Sequence, residues 1–113
     1  MGKYWFLYLV LSFGASANTI FVEGVGDVDL TIPARSAAMI KNCIIVLNDR
    51  GEKEKASYFA KSFGRRLGFF DTLSEKDKQF AYRSVLDTEE MLQQIDDNIR
   101  YKNCLHIYSM RNS

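Results

Sequence analysis

Two cysteines limit how this chain can fold more than any other feature does. Cys43 and Cys104 are the only cysteines among the 113 residues, and they stand 61 positions apart. A disulfide between them would enclose more than half of the chain in one covalent loop, which stabilises a fold by about 4 kcal/mol in the chain-entropy model. Disulfides persist in oxidising compartments and are rare in reducing ones, so the pairing depends on whether the chain is exported.

The first 17 residues have the three-part pattern of a cleavable signal peptide. Lys3 provides a positive charge, residues 4–13 form an apolar stretch, and Ala15 and Ala17 give the small-x-small pattern that a signal peptidase cleaves. The stretch is shorter than the roughly 20 residues of a membrane span. An uncleaved anchor or a buried first helix is the alternative. We expect cleavage after Ala17, a periplasmic or secreted location, and a disulfide between the two cysteines.

Cleavage also determines the size and the charge of the mature chain. Removing 17 of the 113 residues leaves 96, which suffice for one domain with a modest core. The whole chain has 15 basic and 14 acidic residues, so the loss of Lys3 leaves 14 of each. Nucleic-acid-binding proteins and membrane-surface helices usually carry a basic surplus. The sequence therefore predicts neither nucleic-acid binding nor membrane binding after cleavage.

The apolar periodicity predicts an all-α domain with a short extended N-terminal arm. Residues 18–32 form the arm, because Gly24 and Gly26 disfavour a helix there. Residues 33–113 form the helical domain, a small bundle of four helices within a range of three to five. The disulfide would connect the first of these helices to the last.

The first two helices are predicted from their apolar residues. One begins at Pro33, is apolar over a broad surface, which indicates a central position, and ends in a turn at residues 48–51. The other runs from Glu52 to about Phe70, with apolar residues at steps of three and four.

The last two helices are predicted from capping residues. Ser74 resembles the N-cap of a helix that runs to Leu86. Asp87 resembles a new helix start, since residues 87–90 include three acidic side chains that favour the positive end of a helix dipole. The predicted buried face of this last part consists of Met91, Leu92, Ile95 and Ile99.

No group of residues in the sequence indicates catalysis. His106 is the only histidine, and a zinc or haem site usually recruits further ligands. The adjacent acids at 89–90 and 96–97 would point about 100° apart on a helix, so neither pair converges on one atom. We therefore predict no enzyme, no metal site and no cofactor, with His106 as a surface residue.

Several aromatic residues and arginines lie outside the predicted apolar faces. Exposed aromatic rings beside arginines are typical of protein interfaces, whereas the alternative is that these rings complete a small core. We expect Tyr58, Phe69 and Tyr82 to be exposed. The candidate partner-binding residues are Tyr58, Arg65, Arg66, Phe69, Tyr82 and Arg83.

The layout resembles that of the small helical periplasmic immunity proteins that neutralise type VI secretion amidase effectors. The likeness lies in residues 40–45, IKNCII, which are followed by a charged turn and by an Ala/Phe-patterned helix from Ala56 to Phe63. It covers about half of the mature chain. The resemblance implies a periplasmic protein that binds a toxin or an enzyme, such as a cell-wall-degrading effector, and blocks its active cleft.

Other functions fit the same outline. Periplasmic acid-stress chaperones and phage antiholins share it, and a structural protein or a small-ligand carrier is a further alternative. A homodimer is also compatible with this sequence. A chaperone would expose apolar surface, and a carrier would enclose a pocket with converging polar groups near His106.

Overall fold

The computed structural model describes residues 19–111, so the predicted signal peptide lies outside the described residues. A two-stranded hairpin precedes four α-helices. Their bounds are β1 Thr19–Val22, β2 Gly26–Asp29, α1 Thr31–Asp49, α2 Lys53–Asp71, α3 Glu75–Gln93 and α4 Asp97–Ser109. The predicted all-α class, the four helices and the short N-terminal arm are confirmed.

The N-terminal arm is a β-hairpin. Strands β1 and β2 are antiparallel, with Thr19 opposite Asp29 and Val22 opposite Gly26. The backbone N–H of Val25 donates to the Val22 carbonyl at 3.0 Å. Gly24 and Gly26 have φ angles of 84° and 104°, which side chains with a Cβ rarely allow. The two glycines that disfavour a helix are therefore the residues that turn the chain.

Helix α1 begins at Thr31, two residues before the predicted start at Pro33. The Asp29 carboxylate accepts hydrogen bonds from the Thr31 backbone N–H at 3.0 Å and from the Thr31 hydroxyl at 2.7 Å. Pro33 is the third residue of the helix. A proline is tolerated there because the first backbone N–H groups of a helix have no acceptor within the helix.

The predicted turn at residues 48–51 is confirmed, and it ends α1 with a Schellman motif. Gly51 has a φ of 76°, and its N–H donates to the Asn48 carbonyl at 3.0 Å. The Glu52 N–H donates to the Leu47 carbonyl at 2.9 Å. The last carbonyls of a helix receive no hydrogen bond from a following helical turn, and these two bonds supply donors to two of them. The turn also directs the chain back into α2.

Helix α1 is central, as predicted, and it packs against α2, α3 and α4, whereas α2 and α3 make few contacts with each other. Two groups of buried side chains lie along it. The first, here called the alanine cluster, consists of Ala34, Ala37, Ala38, Phe70, Ala81 and Val85. The second, called the disulfide cluster, consists of Cys43, Leu47, Ala56, Phe59 and Cys104.

The predicted disulfide is present between Cys43 on α1 and Cys104 on α4. The two Cα atoms are 5.5 Å apart, and both residues are fully buried. The bond thus holds the last helix against the central one, as the sequence predicts.

The predicted helix start at Asp87 is wrong. Helix α3, whose Ser74 cap is confirmed by a bond from the Asp77 N–H to Ser74 Oγ, continues to Gln93. The Thr88 hydroxyl donates to the Ser84 carbonyl at 2.8 Å, so the threonine lies within the helix instead of capping a new one. The break comes later, where Asp96 accepts hydrogen bonds from the first N–H groups of α4.

The predicted buried face after residue 90 is wrong for three of its four members. Met91, Ile95 and Ile99 are 68%, 41% and 60% exposed, and Leu92 alone packs against the alanine cluster. The prediction placed these residues on one helix, whereas the chain turns between Gln93 and Asp97. The turn changes the direction of the side chains that follow it, whereas Met91 precedes the turn and lies on the exposed side of α3.

Candidate functional site

A groove lies where α1, α2 and α4 meet, and its volume is about 330 Å³. We call it the α1–α2 groove. It is lined by Ser36, Met39, Ile40, Cys43, Tyr58, Phe59, Ser62, Arg66 and Ile107. Most of these side chains are apolar, and the polar ones are two serines and one arginine.

Helical spacing brings these residues to one surface. On α2, Tyr58, Ser62 and Arg66 are four residues apart, so they lie in one row along the helix. On α1, Ser36, Ile40 and Cys43 are four and three residues apart, so they also lie in one row. The two rows face each other because α2 runs antiparallel to α1 after the turn at Gly51.

Aromatic contacts fix the α4 side of the groove. The Tyr58 ring packs edge-on against Phe59 and against Tyr108, with centroids 5.3 and 5.5 Å apart. The guanidinium carbon of Arg111 lies 3.7 Å from the Tyr108 ring centroid, and Lys55 Nζ lies 5.6 Å from it. Rings held in this way provide a contact surface that loses little conformational entropy when a partner binds.

Two further concave surfaces adjoin the groove at Arg66. One, the arginine shelf, is formed by Ser62, Arg65 and Arg66. The other, the hairpin depression, has a volume of about 540 Å³. It is lined by Val22, Val25, Val28, Ile32, Pro33, Ser36, Arg66 and Phe69. Arg66 borders all three surfaces, and Ser36 borders both apolar ones.

The two arginines of the shelf have no acidic partner within residues 19–111. No carboxylate lines the groove, the shelf or the hairpin depression. Every ion pair and side-chain hydrogen bond in the described part of the chain involves groups other than Arg65 and Arg66. This surface is thus basic as well as apolar, in a chain with almost no net charge.

A second charged cluster, around Arg50, is satisfied internally. Arg50 donates to Asp97 at 2.8 Å and lies 4.4 Å over the ring of Tyr101. The Tyr101 hydroxyl donates to Glu52 at 2.6 Å, and Lys55 donates to the same carboxylate at 3.1 Å. These contacts connect the start of α4 to the turn between α1 and α2, so we assign them a structural role.

The pKa values in this cluster reflect those contacts. The hydrogen bond from Tyr101, with that from Lys55, lowers the pKa of Glu52. The hydrogen bond from Arg50 lowers the pKa of Asp97. Glu52 in turn raises the pKa of the Tyr101 hydroxyl. Each shift favours the state in which the pair is intact, which fits a structural role and not proton transfer.

The structure divides the six predicted partner-binding residues between two helices. Tyr58, Arg65, Arg66 and Phe69 are all on α2 and line the groove, the shelf or the depression. Tyr82 and Arg83 are on α3 and line none of the three.

Two of the three aromatic residues expected to be exposed are half-buried. Phe69 packs against the alanine cluster, and Tyr82 packs edge-on against Phe70 with centroids 5.7 Å apart. Tyr58 is exposed over 36% of its surface. The alternative considered for these rings, that they complete a small core, therefore holds for Phe69 and Tyr82.

The α1 side of the groove was missed by the sequence analysis. Met39 and Ile40 belong to the broad apolar surface of α1, and Ile107 lies on α4. The sequence did indicate that the apolar surface of α1 is too broad for one neighbouring helix to cover. It could not indicate which part of that surface stays open after the other helices have packed.

His106 is exposed and does not line the groove. Within residues 19–111, no three His, Cys, Asp or Glu side chains are grouped closely enough to hold a metal ion. None of the helices in this part of the chain is long and apolar enough to cross a membrane. No protein-family model, no curated protein and no solved structure matches the chain.

Proposed function

We propose that this chain is an exported binding protein that neutralises a toxin or an enzyme by covering its active cleft. The observation that carries the proposal is the α1–α2 groove with Arg65 and Arg66 beside it. An apolar floor next to cations without internal partners is a surface that a protein partner can complement in both shape and charge. An inhibitor of this kind requires a stable surface and no chemistry of its own.

Export is part of this proposal. It is supported by the signal-peptide pattern of the first 17 residues and by the disulfide between Cys43 and Cys104, a bond that forms in oxidising compartments. The periplasm, where immunity proteins meet cell-wall-degrading effectors, is such a compartment. Residues 40–45 and the helix that follows them resemble those immunity proteins, and this resemblance also supports a periplasmic location.

The rigidity of the groove supports the same function. Its α4 side is held by the disulfide and by the ring contacts of Tyr58 and Tyr108. The Schellman turn at Gly51 connects its α1 side to its α2 side. A surface that is already ordered binds more tightly, because less conformational entropy is lost on association.

The test is inhibition of a toxin or enzyme encoded beside this gene. The mature chain, from residue 18 onward, is titrated against the purified enzyme while turnover of its substrate, for example peptidoglycan, is followed. We expect inhibition that is complete at about one equivalent. Failure to form a complex or to inhibit would contradict the proposed function.

Charge-reversal variants connect the test to the groove. Arg66→Glu is expected to weaken inhibition strongly, because it places a carboxylate where the partner's acid would bind. Arg83→Glu on α3 is the matched control, since Arg83 is exposed but lines none of the three surfaces. Circular dichroism of both variants should show the same helix content. Equal inhibition by the two would exclude this surface as the site.

A stress chaperone is the second candidate, and a separate observation favours it. Leu86, Met91 and Ile99 on α3 and α4 are each at least 60% exposed, which gives these helices apolar surface in contact with water. A chaperone would suppress the aggregation of unrelated clients, measured by light scattering at neutral and acidic pH. Leu86→Ser with Met91→Ser should then reduce the suppression, whereas Arg66→Glu should not.

A further inference from the structure

Two apolar concavities lie on one face of the molecule, on either side of a single cation. The α1–α2 groove and the hairpin depression share two lining residues, Ser36 and Arg66. Arg66, a half-buried residue, therefore borders both, and Arg65 adds a second positive charge at the shelf. No carboxylate of this chain lines either concavity. A partner's carboxylate that reached Arg66 would therefore form a charge-assisted hydrogen bond without competition from an internal acid.

The length of this face limits what can cover it. Along α1 it extends from Ile32 in the depression to Cys43 in the groove. At about 1.5 Å per helical residue, that distance is roughly 16 Å. An extended peptide rises about 3.3 Å per residue, and alternate side chains point to the same side. Five extended residues therefore place their first, third and fifth side chains on this face within about 13 Å.

We propose that the partner inserts one segment in which a carboxylate is flanked on both sides by apolar side chains. One apolar side chain occupies the α1–α2 groove, the other occupies the hairpin depression, and the carboxylate accepts hydrogen bonds from Arg66. In an extended segment the pattern is apolar-x-acidic-x-apolar. The inference rests on the proposed function, since it names the chemistry by which a protein partner is recognised at this surface.

The hairpin acquires a role in this arrangement. Val22, Val25 and Val28 line the depression, and Val25 is 73% exposed at the turn. The hairpin itself packs only lightly on the helices, mainly through β2 and α1. Its valines thus form one wall of the second apolar position.

The experiment uses a random peptide library displayed on phage, selected on the oxidised mature protein. We expect the enriched peptides to share an acidic residue with an apolar residue on each side. A spacing of two positions between the acidic residue and each apolar residue indicates an extended segment. A spacing of four indicates a helical segment, which spans about the same distance. A consensus without an acidic residue, a consensus with an apolar residue on one side only, or the absence of enrichment would overturn the inference.

Variants test the assigned positions with one enriched peptide, made synthetically. Arg66→Gln keeps much of the side-chain length but removes the charge, and we expect it to weaken binding about tenfold or more. Val25→Ser should weaken binding through the loss of apolar contact. Arg83→Gln is the control and should bind normally. Unchanged binding by Arg66→Gln would overturn the assignment of the carboxylate, and circular dichroism verifies that each variant is folded.

The two proposals can fail separately. If such peptides bind at Arg66 but the chain inhibits no neighbouring toxin, the recognition inference stands and the inhibitory function is wrong. If the chain inhibits a toxin, yet neither Arg66→Gln nor an excess of peptide changes the inhibition, the function stands and the recognition inference is wrong.

Discussion

The two halves of α1 are buried by different means. The first half packs through Ala34, Ala37 and Ala38 against α2 and α3, with no covalent link in that region. The second half packs through Cys43 and Leu47 into the disulfide cluster, which includes Phe59 of α2, and the polar contacts of Arg50 lie at its end. Alanines allow the neighbouring helices to approach closely, whereas the disulfide holds α4, a helix of only 13 residues.

This difference shows what holds each neighbouring helix against α1. Helices α2 and α3 have 19 residues each and pack along α1 over much of their length. Helix α4 is shorter, makes fewer contacts with α1, and is connected to it by Cys104. We infer that packing stabilises the alanine cluster, whereas the covalent bond and the polar contacts stabilise the attachment of α4.

Truncating the largest side chain of the alanine cluster should have the largest effect. Phe70 is fully buried, so Phe70→Ala removes its contacts and leaves a cavity, which lowers the free energy of unfolding by about 3–5 kcal/mol. Urea unfolding measures the change. Phe21→Ala is the matched control, because Phe21 is 74% exposed, and we expect a change below about 0.5 kcal/mol. Similar losses in both variants would refute the packing explanation.

Removing the disulfide should have the next largest effect. Cys43→Ala with Cys104→Ala is expected to lower the free energy of unfolding by about 2–4 kcal/mol, since the unfolded chain regains the freedom of a large loop. Hydrogen exchange should become faster in α4 than in α3, because α4 depends on the bond. An equal increase along α2, α3 and α4 would show that the bond does not selectively retain α4.

Removing one hydroxyl near the disulfide should have a smaller effect. Tyr101→Phe deletes the donor to Glu52 and should lower the melting temperature by less than either change above. Tyr58→Phe is the control, since the Tyr58 hydroxyl has no hydrogen-bond partner within residues 19–111. If the two variants melted alike, the polar contacts of Tyr101 would not contribute to the attachment of α4.

Acid should cause the smallest of these effects. Two of the carboxylates through which it acts, Glu52 and Asp97, belong to the disulfide half, and the third, Asp29, accepts hydrogen bonds from Thr31 at the start of α1. The pKa values of Glu52 and Asp97 are lower in the folded chain than in the unfolded one. The unfolded state therefore binds more protons as the pH falls, and stability decreases. The contribution is complete above about pH 5 and is lost as the pH falls through the lowered pKa values. The urea midpoint measured against pH should change less in Asp97→Asn than in the natural chain.

The sequence could predict features that depend on neighbouring residues. The Ser74 cap, the turn that ends at Gly51 and the apolar pattern of α2 each arise from residues a few positions apart, and all three are present in the structure. The wrong prediction of a helix start at Asp87 also came from neighbouring residues, because the acids of residues 87–90 would suit the start of a helix. In the structure, Glu89 instead forms an ion pair with Lys41 on α1, at 2.8 Å, from the middle of a continuous helix.

The candidate surface was predictable only in part. The sequence indicated Tyr58, Arg65, Arg66 and Phe69, because they are aromatic or basic and lie off the predicted apolar face of α2. It could not separate them from Tyr82 and Arg83, because spacing along the chain shows which residues share a face of one helix but not which residues of two helices lie on the same surface. It also could not show that Ser36 and Arg66 separate two apolar concavities, because that depends on how α1, α2 and the hairpin meet.

By itself, the sequence determined the helical class, the first two helices, the arm and the pairing of Cys43 with Cys104, but not the boundary between the last two helices. Local hydrogen bonding and apolar periodicity define helices, and two cysteines allow only one intramolecular pairing. The tertiary structure decided which apolar residues remain exposed and which arginines lack partners. Both depend on contacts between residues far apart in the chain, and only the packing of α2, α3 and α4 around α1 establishes those contacts.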